Sequence, residues 1–221
     1  MAGYKFDFSP VIKGYEEIAL GLLVTVELTA VTTVCGFVLS LAAGYGGISR
    51  VKLLRAICVG YIEAFRNTPL LVQLFFIYFG LSSMGLRLSP TSGATIALSI
   101  NMGAYCGDIL RAGLTATPRG QIEAGLSLGL SRLKVFWLVM IVPALQRVYP
   151  ALSSQIVLIM LGTSVASQIG ADELTSMGGL IQSRHFRSFE VYLVLGAIYL
   201  VLALSFRSLL AEIGRRWVYR P

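Results

Sequence analysis

Charge is scarce in this sequence. Asp, Glu, Lys and Arg make up 13% of its 221 residues, against the ~25% usual in a soluble domain. The shortfall excludes a water-solvated surface for most of the chain. His185 is the only histidine, which argues against a histidine-based metal or catalytic centre. The dipeptide Gly-Lys never occurs, so the chain has no G-x-x-x-x-G-K-[ST] loop to cradle phosphates. Cys35, Cys58 and Cys106 sit in or beside apolar runs without metal-ligand spacing and read as small packing residues. No nucleophile–base pair stands out, so an intramembrane enzyme finds no support. Internal repeats, low-complexity tracts and soluble linkers are also missing. The first 17 residues are polar and mixed, and no short apolar core with a small-residue cleavage site follows them. A cleavable signal peptide is therefore not expected, and the first apolar run should stay in the membrane.

Apolar residues are abundant instead. They form 56% of the chain, and the mean hydropathy is +0.76. A membrane-crossing helix needs ~20 mostly apolar residues. Five runs qualify: about Ile18–Ala43, Ala56–Ser83, Ala94–Leu110, Ala151–Ile169 and Val191–Leu210. A shorter stretch, Val135–Leu145, contains Pro143 and reads as an interfacial helix. The composition predicts an all-α integral membrane protein with about five transmembrane helices, forming a single domain over residues 1–221.

The net charge of +7 does not point to nucleic acid, because the basic residues cluster between the apolar runs. Arg50, Lys52 and Arg55 follow the first run. Arg111, Arg119, Arg132, Lys134 and Arg147 follow the third, and Arg207, Arg215, Arg216 and Arg220 close the chain. That side holds 12 basic residues, against 5 on the other (Lys5, Lys13, Arg87, Arg184 and Arg187). The positive-inside rule predicts an external N-terminus and a cytoplasmic C-terminus, which requires an odd number of spans. The largest cytoplasmic segment is then residues 111–150, too long for a plain turn. The next largest loop, Gly170–Glu190, faces outward and is polar.

The segment 111–150 carries the most specific pattern. Thr117 can cap a helix N-terminus and Pro118 suits its first turn. Glu123 sits early enough to favour the helix dipole. Gly129 ends the helix, and Ser131 can cap a second one returning to the membrane through Phe136 and Trp137. Physically this is a helix-turn-helix lying against the membrane surface.

Glu123-Ala124-Gly125 followed by Gly129 resembles the EAA loop of permease subunits of bacterial ABC importers. Asn101-Met102-Gly103-Ala104-Tyr105, Ile109-Leu110-Arg111-Ala112-Gly113, Phe65-Arg66-Asn67-Thr68-Pro69-Leu70 and Thr163-Ser164-Val165-Ala166-Ser167 are similar to the polar amino acid uptake branch of that family. The resemblance covers about residues 15–217. It implies the ABC type I importer permease fold, an inner-membrane location, and ATP-driven import by alternating access. It implies ABC ATPase subunits that bind the ATP and Mg, with no cofactor in this chain. It also implies a homologous or identical second permease, an extracytoplasmic solute-binding protein and an amino-acid substrate. Gly120, Gln121, Glu123, Ala124, Gly125 and Gly129 are its ATPase-coupling residues. A channel or non-transporting membrane scaffold is the competing reading, and it would not need the docking segment. Three departures from the family pattern stand out. Gly125 replaces an alanine. Pro143 falls one position late after Gly129, which predicts a bulge. Leu161-Gly162 stands where many relatives have Lys-Asp before Thr-Ser.

Several polar residues within the apolar runs are candidates for a substrate pathway. Glu27 lies mid-span, where a carboxylate meets the pathway, reaches water, or finds a partner on another helix. Asn101 and Tyr105, four apart on one face, either bind a substrate carboxylate or lock helices together, and small neighbours at Gly103, Ala104 and Gly107 predict close packing. Gln155, Thr163, Ser164, Ser167 and Gln168 make the fourth run unusually polar, as expected of a helix lining a pore or subunit interface. Glu63 and Arg66 share a helix face and are read as a structural pair at the cytoplasmic rim.

Overall fold

The computed structural model describes residues 4–219; Arg220, one of the basic residues counted above, lies outside them. Among the described residues every regular element is helical. A short helix α1 (Ser9–Lys13) leads into α2 (Tyr15–Gly47), whose 33 residues contain the whole first apolar run. The second run is not one uninterrupted span. It is broken into α3 (Lys52–Arg66) and α4 (Leu70–Ser83). Pro69 supplies the break, because it has no N–H to donate and disfavours helix at the residue before it. The Asn67 amide caps the end of α3 by donating to the Glu63 carbonyl at 2.8 Å.

Helix α5 (Pro90–Thr115) contains the third run. It is followed by α6 (Arg119–Ser127) and by α7 (Arg132–Val135). From Arg132 the chain stays helical for 38 residues to Ile169, through a π turn (Phe136–Met140), α8 (Ile141–Gly162) and a 3₁₀ segment (Thr163–Ile169). The stretch Val135–Leu145 is therefore the beginning of this long helix and not a separate interfacial one. The π turn is the bulge expected from the late Pro143: a wider turn absorbs one extra residue without ending the helix. The loop Gly170–Glu190 contains a helix of its own, α9 (Leu174–His185), before α10 (Ser188–Ile213) closes the fold. Among the described residues, three helical stretches are long and apolar enough to cross a membrane by length and composition: Tyr15–Gly47, Arg132–Ile169 and Ser188–Val218.

The chain divides into two compact units. One comprises Met1–Thr32, Leu70–Leu98 and Val157–Phe206. Its core joins Val11, Leu174, Ile181, Val191 and Leu195, with Ile18 and Leu22 packed against them. Helices α2 and α9 approach closely there: a Cβ on Gly21 would lie 2.9 Å from the Leu174 Cα. The buried Thr25 hydroxyl accepts the Leu174 N–H at 3.1 Å.

The other unit comprises Thr33–Pro69, Ser99–Ile156 and Arg207–Pro221. Leu114, Val135, Phe136, Met140, Ile141 and Ala144 form its core. The close packing expected around Gly103 and Gly107 is present. A Cβ on Gly103 would meet the Tyr61 hydroxyl and the Leu39 Cβ at 2.6 and 2.8 Å, and one on Gly107 would meet the Ala43 Cβ at 3.0 Å. Small residues let helix backbones meet where lipid supplies no hydrophobic drive between helices.

Candidate functional site

The 111–150 segment builds a short presented helix. Pro118 occupies the cap position of α6, and no side chain caps it. Thr117, expected as the cap, is buried instead, and its hydroxyl has no hydrogen-bond partner among the described residues. The extended Pro118 (ψ 132°) separates Thr117 from the free N–H groups of the first turn. The other end of α6 follows the sequence expectation. Gly129 adopts φ +77°, its N–H donates to the Leu126 carbonyl at 3.0 Å, and the Leu130 N–H donates to the Gly125 carbonyl at 3.2 Å. This is a Schellman closure, in which glycine takes the left-handed position without a Cβ clash. The Ser131 hydroxyl then accepts the Lys134 N–H at 3.4 Å to start α7.

Packing sets which face of α6 is free. Gly125 is buried, and a Cβ there would come within 3.1 Å of Val135 Cγ2. Ile122 packs against the same core. Gly120, Gln121, Glu123 and Ala124 all point to solvent. Glu123 makes no ion pair among the described residues. Leu128 is 82% exposed and Leu133 57% exposed. Sequence reasoning missed these two leucines as surface features. No sequence signal separates them from Leu130, which flanks the same glycine and packs against the core.

The pathway candidates fall in both compact units. In the first, Glu27 is exposed on α2. The hydroxyls of Thr163, Ser164 and Ser167 each donate to a carbonyl three residues earlier at 2.7 Å. Their donor capacity is spent on their own helix, while Thr163 is fully buried and the two serines are half-buried. In the second unit, Asn101 and Gln155 are buried, and the Tyr105 hydroxyl donates to the Arg66 carbonyl at 3.2 Å.

Arg66 does not pair with Glu63. Its guanidinium pairs with Asp108 on α5, which also accepts Arg111 at 2.7 Å. Glu63 accepts the Asn67 amide instead, at 3.0 Å. Shared helix face permitted the Glu63–Arg66 pair, but Asp108 offers Arg66 a partner on a second helix.

Two fully buried carboxylates in the first unit were also missed. Glu173 caps α9, accepting the N–H groups of Thr175 and Ser176 at 3.0 and 2.8 Å and the Tyr199 hydroxyl at 2.8 Å. Burial raises its carboxyl above the ordinary value, and these hydrogen bonds act in the opposite direction. Glu190 accepts the Tyr4 hydroxyl at 2.6 Å and the Asp7 N–H at 3.0 Å. Among the described residues no group of three His, Cys, Asp or Glu side chains gathers as a metal site.

Residues 36–219 match the family described as the binding-protein-dependent transport system inner membrane component. The chain belongs to that family. It is 32% identical to the glutamine transport system permease of Escherichia coli K12, over 96% of this chain and 98% of the relative. It is also 32% identical to the L-cystine transport system permease of Bacillus subtilis, over 95% of this chain and 88% of the relative. A solved structure described as an amino acid ABC transporter with histidines superposes with a TM-score of 0.86 at 35% identity, covering 96% of this chain and all of the other. The inward-facing methionine ABC transporter shares the fold, with a TM-score of 0.77 at 19% identity. As a member of this family the chain is a non-catalytic permease subunit of the ABC type I importer fold, and ATP is hydrolysed by a separate subunit.

Proposed function

We propose that this chain is the membrane-spanning subunit of an ATP-driven importer for polar amino acids, crossing the inner membrane about five times as a single permease domain. The observation that carries the reading is α6: a short helix anchored by Gly125 and Ile122, with Gln121, Glu123 and Ala124 turned outward. Such a helix seats in a partner's groove through its exposed face, and the neighbouring Leu128 and Leu133 add apolar contact area. The partner is an ABC ATPase that binds ATP and Mg. Its closure pulls on α6 and drives alternating access.

A second, homologous permease completes the path, and an extracytoplasmic binding protein delivers the amino acid. Glu27, Asn101, Tyr105, Gln155, Thr163, Ser164 and Ser167 are this chain's contributions to the path. A zwitterion needs partners for both charges. Leu161-Gly162 carries no charge, so a different second permease supplies the cation on the outer side. Expression with the ATPase and binding protein but no other permease tests this: uptake at full rate would establish a homodimer. The main reading is tested by co-purification. The chain should retain an ABC ATPase in detergent, and Glu123→Arg should release it, because reversing the charge turns attraction to basic groups into repulsion. Equal retention by both forms would remove Glu123 from the interface, and no retention by either would favour the channel or scaffold.

A further inference from the structure

A cavity of about 550 Å³ opens beside α6 in the second unit, between the end of α2 and the roots of α6 and α7. Ile48, Leu114, Ile122, Phe136 and Met140 line its interior. Tyr45 and Phe136 lie there with ring centroids 4.5 Å apart. Three arginines, Arg50, Arg119 and Arg132, also line it, and no carboxylate does. All three are exposed and make no ion pair among the described residues. Thr117 lines the same cavity; it is 5% exposed, and its buried hydroxyl has no hydrogen-bond partner among the described residues.

We propose that this cavity binds an anionic phospholipid, with its phosphate at the arginines and its proximal acyl chains against the apolar wall. Three unpaired guanidiniums select an anion. The apolar wall selects one that carries hydrocarbon, because a small soluble anion would leave that surface wet. Thr117 supplies a buried donor that a phosphate or ester oxygen satisfies. The place fits as well. Arg50, Arg119 and Arg132 belong to the basic clusters assigned to the cytoplasmic side, where basic pockets between helices take anionic headgroups; the proposal rests on that orientation. A lipid seated there touches both the loop after α2 and the inner face of α6, and so braces the helix that carries the coupling.

The test uses the assembled transporter, with its ATPase and binding protein, in nanodiscs of phosphatidylcholine with or without phosphatidylglycerol. Native mass spectrometry after partial delipidation should find phosphatidylglycerol retained over phosphatidylcholine. Substrate-stimulated ATP hydrolysis should rise when phosphatidylglycerol is present. Each basic residue near an anionic headgroup contributes ~1 kcal/mol, so the double variant Arg50→Gln/Arg132→Gln should hold phosphatidylglycerol roughly thirtyfold more weakly. Thr117→Val should weaken it by a smaller factor. If the double variant does not assemble, a photoreactive phosphatidylglycerol on the wild type decides the matter: labelling at Ile48 or Phe136 supports the site, and labelling only elsewhere overturns it. Equal retention of the two lipids, or of phosphatidylglycerol by wild type and variants, overturns it. So does full displacement by soluble glycerol phosphate, which would reduce the site to an anion site. Loss of the lipid whenever the ATPase is bound would mean that an acidic segment of the ATPase fills the cavity, and would also overturn it.

Discussion

The Tyr199 hydroxyl donates to the Glu173 carboxylate at 2.8 Å, joining α10 to the first turn of α9 across 26 residues of sequence. Thr175 bridges the pair, its N–H on Glu173 and its hydroxyl 2.9 Å from that of Tyr199. One acid therefore caps a helix and ties it to a second one.

Glu173→Ala should destabilise the protein by about 1–2 kcal/mol, the usual effect of losing a helix cap together with a buried acceptor. Glu173→Gln isolates the charge. Burial raises the Glu173 carboxyl above its ordinary value near 4.5. The protonated form is thus favoured by the fold, and its stabilising contribution is complete below that ordinary value and lost as pH rises through the raised one. The wild-type melting temperature should fall across that window relative to Glu173→Gln in nanodiscs. Parallel curves for the two proteins would show that Glu173 does not titrate there.

Gly125 is the position where this chain departs from the alanine of the EAA pattern. A methyl there meets Val135 Cγ2 at 3.1 Å, closer than side chains ordinarily pack. Alanine gains about 1 kcal/mol of helix propensity over glycine, so Gly125→Ala should leave thermal stability within about 1 kcal/mol of wild type. Gly125→Leu cannot be accommodated, and overpacking of this kind costs about 1–3 kcal/mol. It should lift α6 from Val135 and Val139 and weaken ATPase retention. Unchanged retention by Gly125→Leu would mean that the seating of α6 is not set by this contact.

The orientation read from charge has a direct check. After replacement of Cys35, Cys58 and Cys106, a cysteine placed at Arg215 should resist an impermeant thiol reagent in intact cells and react once the membrane is opened. Labelling from outside would invert the topology.

The sequence carried the family pattern and most helix positions because both rest on local rules. Apolar length predicted α2, α5 and α10, and Gly129 and Ser131 marked the loop's turn through backbone and capping chemistry. What it did not carry depends on partners distant in sequence. Arg66 found Asp108 rather than Glu63 because α5 brings a second carboxylate within reach. Glu173 and Glu190 look like ordinary loop acids until Tyr199 and Tyr4 close over them. The joining of Val135–Leu145 to the following span needed the π turn, whose extra residue hides in a continuous helix. Thr117 lost its capping role to a backbone turn at Pro118.

Uptake of a labelled polar amino acid into liposomes holding the chain with its ATPase, binding protein and any second permease tests the central claim most directly. Accumulation should require both ATP inside and loaded binding protein outside, and Glu123→Arg should abolish it while the protein remains in the membrane. Flux that equilibrates the amino acid without ATP, or accumulation at the wild-type rate in Glu123→Arg, would contradict an importer driven through α6.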